Sequence, residues 1–154
     1  MEMPGPGEQH KVLEQLVGVW EGEETLHPSP WDPDGGTAAG RYEARMGLDG
    51  FFLIVDNEQR RGGRVNYRGH GVFGWDARGQ CYTMYWFDSV GLDPAGPAIG
   101  SWDGTALVFE HEHHLAHSRH TFTIAGDQFR LLLENSASGT DWRPFLEGTY
   151  HRVG

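Results

Sequence analysis

The sequence predicts an all-β fold, an antiparallel up-and-down barrel of about ten strands with one short helix near its N-terminus. Three observations predict it. Short aromatic and β-branched runs succeed one another at intervals of about 8–12 residues. Glycine, 23 of 154 residues, is at roughly twice its usual share of about 7% and falls between those runs as turns. No long connection suggests a crossover, and so long a meander avoids exposed edges by closing on itself.

The elements follow in order. Residues 1–7 (MEMPGPG) are expected to be disordered, and one domain is expected over 8–154. EQHKVLEQLV (8–17) carries Val12, Leu13, Leu16 and Val17 as an apolar stripe at helical spacing. Gly18 interrupts it, and alternation begins at Val19-Trp20-Glu21-Gly22-Glu23, placing Trp20, Gly22 and Glu24 on one face. The loop HPSPWDPDGG then carries Trp31, and loops of this length often serve as lids. TAAGRYEARM and FFLIVDNEQ are joined by LDG; RVNYRGHGVFGWD turns at Ala77-Arg78-Gly79 into QCYTMYWFDS. PAIGSW and TALVFEHE flank the turn at Asp103-Gly104, HSRHTFTI and QFRLLLENS flank Ala125-Gly126-Asp127, and WRPFLEGTYHR ends the meander. If the barrel closes between its first and last strands, Arg143 and Glu147 on the last strand can reach the first, which predicts an ion pair across that seam.

Composition narrows the function. A net charge of −10 with scattered basic residues argues against nucleic acid, which needs clustered Lys and Arg. The single cysteine, Cys81, permits neither an intrachain disulfide nor a Cys-rich zinc site. No apolar run reaches the ~20 residues of a membrane span, and the N-terminus lacks a signal-peptide layout. The expected location is cytoplasmic. No Gly-x-Ser-x-Gly elbow or phosphate-binding glycine loop is present.

Five of nine histidines lie in FEHEHHLAHSRHTF, residues 109–122. A hairpin turning at His114-Leu115 sets Phe109 opposite His120, His111 opposite Ser118 and His113 opposite Ala116. Paired residues share a face, so Leu107, Phe109, His111, Ser118, His120 and Phe122 read as interior. His113, His114 and His117 then lie near the tip or outside. A one-residue change of turn length would reverse the assignment. Two inward imidazoles could contribute to a metal or haem site, with His70 or Asp88 as a third group, although a metal site needs three or four ligands. The alternative is that His111 and His120 are hydrogen-bonded lining residues.

Six tryptophans, eight phenylalanines and five tyrosines supply more aromatic wall than so small a core requires, and such walls line small-molecule pockets. They serve equally to fill the barrel. Asp88 closes the strand of Trp86, either as a turn acceptor or as a base whose pKa an apolar mouth would raise.

The stretches LVGVWEGEETL, GVFGWD…YTMYWFDSVG, GSWDG and EGTYHR resemble the DUF1579 family of uncharacterised bacterial proteins, over about residues 10–152. That resemblance implies a calycin-like barrel and no particular chemistry. The Trp20-Glu21-Gly22 start is more distantly similar to nitrobindin-like haem barrels and fatty-acid-binding-protein-like barrels. The longer glycine run and Tyr-Pro of the haem barrels are replaced here by Glu24-Thr25-Leu26-His27-Pro28.

The expected function is therefore binding of a small hydrophobic or aromatic ligand inside the barrel. Trp20, His70, Met84, Trp86, Asp88, Phe109, His111 and His120 would line the site, under a lid carrying Trp31. One rival is a haem- or divalent-metal-binding protein using His111 and His120. Another is a small isomerase- or cyclase-type enzyme with Asp88 and a histidine as its acid–base pair. A third reading is a homodimer joined through exposed aromatics.

Overall fold

The computed structural model describes residues 2–113 and 116–154. Ten antiparallel strands form a closed barrel in the order β1-β10-β9-β8-β7-β6-β5-β4-β3-β2. They are β1 (Gly18–Leu26), β2 (Gly36–Gly47), β3 (Phe52–Arg61), β4 (Arg64–Asp76), β5 (Cys81–Asp88), β6 (Ala98–Trp102), β7 (Ala106–His113), β8 (Ala116–Ala125), β9 (Gln128–Ser136) and β10 (Arg143–Arg152). Each strand pairs with its neighbour in sequence, and β1 pairs with β10 from Trp20↔Arg152 to Leu26↔Leu146, so the meander is closed without a crossover.

Helix α1 spans Glu8–Glu14, ending three residues short of the expected Val17. The next turn tightens: Leu16 N–H bonds to Leu13 O and Val17 N–H to Glu14 O, both at 3.1 Å. Gly18, at φ +136, then turns the chain into β1. The predicted apolar stripe seals one end of the barrel. Leu13 and Leu16 are buried, Trp20 Nε1–H donates to Leu16 O at 2.9 Å, and Tyr82 O–H donates to Gln9 O at 2.7 Å. Residues 2–7 are exposed. Among the described residues no helix is long and apolar enough to cross a membrane.

Above this seal the interior is packed with rings. Trp20 meets Phe129 edge-on at 4.9 Å, Phe129 stacks on Tyr150 at 4.7 Å, and Phe73 meets Phe109 at 5.4 Å. Gly100 lies under the Phe109 ring, where a Cβ would come within 2.5 Å of Cδ1. The bland reading of the aromatics, that they fill the barrel, therefore holds for its α1 half.

At the seam Glu147 is paired with His27, Nε2 to Oε2 at 2.6 Å. Arg143 lies beside Asp141 instead, at 3.5 Å. An ion pair thus crosses the seam from Glu147 to the residue that follows β1, whereas Arg143 turns to Asp141 and does not reach β1.

The wall is incomplete at one place. Strand β5 pairs with β4 along its whole length but with β6 only over Tyr82–Met84. Strand β7 pairs with β8 out to His113 but with β6 only as far as Glu110. The sequence explains the short β6: Pro97 has no N–H to extend the ladder, and Gly91 and Gly96 take left-handed φ of +82 and +89 in the preceding loop. Beyond β6, the edges of Tyr85–Asp88 and His111–His113 face each other without a strand between them.

Candidate functional site

Alternation assigns the inward side chains. On β1 they are Trp20, Gly22 and Glu24; on β2 Ala38, Gly40 and Tyr42; on β3 Leu53, Val55, Asn57 and Gln59. On β4 they are Tyr67, Gly69, Gly71 and Phe73, and on β5 Tyr82, Met84, Trp86 and Asp88. The hairpin of β7 and β8 has the expected register, with Phe109↔His120, His111↔Ser118 and His113↔Ala116. His111 and His120 thus share the face of buried Phe109 and Phe122. The turn at His114-Leu115 lies outside the described residues.

The interior divides into two levels. Trp20, Phe109 and Met84, all expected as lining, are buried in the packed half. Toward the other end, the inward Tyr67, Trp86, Asp88, His111 and His120 are partly exposed. Trp86 lies flat on β4: a Cβ on Gly69 would fall 2.2 Å from its Cζ2, and one on Gly71 2.7 Å from its Cε3. Two glycines on one face of β4 thus make the bed for an indole ring whose other face looks into the barrel. The indole Nε1–H donates to Tyr67 Oη at 2.8 Å, and Tyr67 O–H donates to Asp88 Oδ2 at 2.9 Å. Asp88 Oδ1 also accepts the N–H of Val90 at 3.1 Å, so it serves the turn and the interior together. Burial and the nearby Asp88 carboxylate push the Tyr67 phenol well above its ordinary value.

Deeper lies a second polar group that the sequence reading did not single out. Glu24 is 1% exposed. Its Oε1 accepts from Gln59 Nε2 at 2.8 Å, and Oε2 accepts a short hydrogen bond from Tyr150 O–H. Gln59 is held in turn by Asn66, whose Nδ2 donates to Oε1 at 2.8 Å. Burial raises the Glu24 pKa, while the bonds from Tyr150 and Gln59 restrain the rise. Gly40 makes the space, since a Cβ there would lie 2.4 Å from Glu24 Oε2. The signal was present in the strand alternation, which already placed Glu24 with Trp20.

Three expected participants stand elsewhere. His70 is on the outer face of β4, exposed, with Nδ1 2.7 Å from Asp56 Oδ1. It alternates with the inward Gly69 and Gly71, so it cannot line the interior. Trp31 is 87% exposed on a loop pinned by the Ser29–Asp32 bridge and by Arg61 Nη1 bonding Asp32 Oδ2 at 2.6 Å. It points to solvent and covers nothing. Asp88 is partnered by Tyr67 rather than by a histidine: its Oδ2 accepts from the Tyr67 hydroxyl and its Oδ1 from the Val90 N–H. Among the described residues no group of three or more His, Cys, Asp or Glu gathers as a metal site, so the two inward imidazoles lack a third ligand.

Burial, with His111 beside it, holds the His120 imidazole down at about 4. The unfolded chain, with an ordinary histidine near 6.5, binds this proton more readily between those values. Stability should therefore rise as pH increases from about 4 to about 6.5. His120→Leu should remove that component, about 3 kcal/mol at most, as read from urea midpoints across the range. An unchanged pH slope in the variant would show that His120 does not carry it.

Solved structures share this architecture. Rv2717c from M. tuberculosis matches at a TM-score of 0.72 and 16% identity, covering 96% of this chain and 99% of that one. The S-type phycobiliprotein lyase CPES from Guillardia theta matches at 0.66 and 10% identity, covering 97% and 95%. At these identities the likeness is one of fold. No curated protein matches the chain. Residues 5–152 match the model of a family described as a protein of unknown function, DUF1579, and over that span this ten-stranded barrel belongs to it.

Proposed function

We propose that the half of the barrel away from α1 binds a small, largely apolar or aromatic molecule. The observation that carries this reading is the hydrogen-bonded row Trp86–Tyr67–Asp88, inward-facing and partly exposed, with His111 and His120 also turned inward. Polar groups on an inward face must be satisfied, and here they are arranged around the ring of the partly exposed Trp86. A few polar groups set in an aromatic wall fix the orientation of a bound molecule while apolar burial supplies the affinity. The fold is one that a phycobiliprotein lyase also uses, which supports a barrel of this shape acting on a small molecule or its carrier.

Native mass spectrometry of the untagged protein, compared with its denatured mass, tests the reading. An organic adduct present in the wild type and lost in Trp86→Ala is the expected result. Matching masses, together with no change in Trp86 emission across a panel of aromatic probes, would remove it. An added mass of haem or a metal ion would instead favour ligation by His111 and His120.

A further inference from the structure

The interior carries one sign of fixed charge. Glu24 and Asp88 face inward, and among the described residues no inward position between the Trp20 layer and the rim is a lysine or arginine. Arg152, the arginine on the inward parity of β10, is spent at the sealed end. It lies over the Trp20 ring at 4.2 Å and bonds Asp127 and the carbonyls of Val17 and Gln15. The rim arginines Arg60 and Arg61 are engaged by Glu58 and Asp32. Glu24 is sealed beneath its partners, which leaves Asp88 as the reachable carboxylate, adjoining the indole of Trp86 and the phenol of Tyr67.

The opening in the wall leads to the same place. Ser89 N–H bonds to Arg68 O at 2.9 Å, continuing the β4–β5 ladder and fixing its phase. In that phase Trp86 and Asp88 direct their backbone groups toward β6, where the ladder has already ended. Tyr85 and Phe87 on β5, Ile99 on β6, and Val90 and Leu92 in the connection between these strands are five of the nine exposed large hydrophobics among the described residues. Exposed apolar surface gathered in this way marks a site of interaction. Here it borders the edge of β5 that carries Trp86 and Asp88, beyond the end of the β5–β6 ladder.

Resting on the binding reading above, we propose that the site selects a planar aromatic cation, such as a protonated nitrogen heterocycle or aryl amine, and rejects anions. Such a molecule enters between β5 and β7, lays its ring against the free face of Trp86 and sets its positive charge against Asp88. A ring face attracts a cation through its quadrupole, and a partly desolvated carboxylate adds to that attraction. A carboxylate or sulfonate ligand would meet no compensating cation of its own and would stand beside Asp88.

The test uses proflavine as the planar cation and 1-anilinonaphthalene-8-sulfonate as an anion of similar size. Titrations are made at an ionic strength that screens the net charge of −10. Proflavine is expected to bind the wild type with one saturable site and to quench Trp86, with the quenching lost in Trp86→Phe. Asp88→Asn should weaken it at least tenfold, whereas Asp56→Asn, on the outer face beside His70, should leave it within twofold. The sulfonate should neither bind the site nor displace proflavine. If Asp88→Asn does not fold, the cation–anion preference of the wild type decides by itself. Sulfonate binding at Trp86 as tight as proflavine, or an Asp88→Asn effect below twofold, overturns the charge selection while leaving the binding reading in place. If neither probe reaches Trp86, both fall.

Discussion

Glu24→Ala should lose about 2–5 kcal/mol of stability, while Glu24→Gln should remain close to the wild type near neutral pH. Alanine would leave the Tyr150 hydroxyl and the Gln59 amide facing an empty, buried position, each donor stripped of its acceptor. Glutamine restores an acceptor for Gln59, and the Tyr150 hydroxyl can accept from the new amide. The two variants also separate in pH dependence. Because the folded-state pKa of Glu24 is raised, the native state keeps this proton to higher pH than the unfolded chain. Its contribution is fully present below the unfolded value and is lost as pH rises through the folded one. Wild-type stability should carry a component that declines above the ordinary carboxylate range of about 4.3, and Glu24→Gln should lack it. Urea denaturation at about pH 5 and about pH 8 reads the difference. A Gln variant with the full wild-type decline would exclude Glu24 as its source. The His120 contribution has the opposite slope, so comparison of single variants is needed to separate them.

Trp20→Ala should be the more damaging change, costing about 3–5 kcal/mol. The ring is fully buried. It touches Phe129, carries Arg152 above it, and holds α1 through its bond to Leu16 O. A seven-residue helix has no stability of its own in water, so removing the ring should also release the seal. The expected signature is a lower urea midpoint and fast amide exchange in α1, with Trp20→Phe intermediate because it fills most of the volume but cannot donate. A variant that loses stability while α1 stays protected would show that the helix is held by Leu13 and the Tyr82–Gln9 bond instead.

The meander was legible because turn chemistry and alternation agree along most of the chain. The β7–β8 register followed from one assumed turn, and pairing then fixed every side chain on both strands. His70 was misplaced although its neighbours contained the correction: Gly69 and Gly71 are small because Trp86 lies on them, so the residue between them must face out. Met84, Phe109 and Trp20 were rightly read as inward, but alternation gives direction and not depth. Depth depends on how far each strand has climbed from the α1 end, which is set by pairing across the whole barrel. The Trp86–Tyr67–Asp88 row was half visible for the same reason. Two members lie on one strand, whereas Tyr67 reaches them diagonally from the next, a relation that a single strand's pattern does not contain.

The short β6 has a mechanical consequence. Ten strands encircle the base of the barrel, but nine strands joined by eight ladders bound its rim, so the wall there can spread without breaking an interstrand hydrogen bond. Deformation of the rim is then resisted by the bending of one proline- and glycine-containing connection, a soft spring set in a stiff cylinder. Fluctuations in rim diameter should concentrate between Tyr85–Asp88 and His111–His113, while the seam between β1 and β10, paired over seven residues, stays rigid.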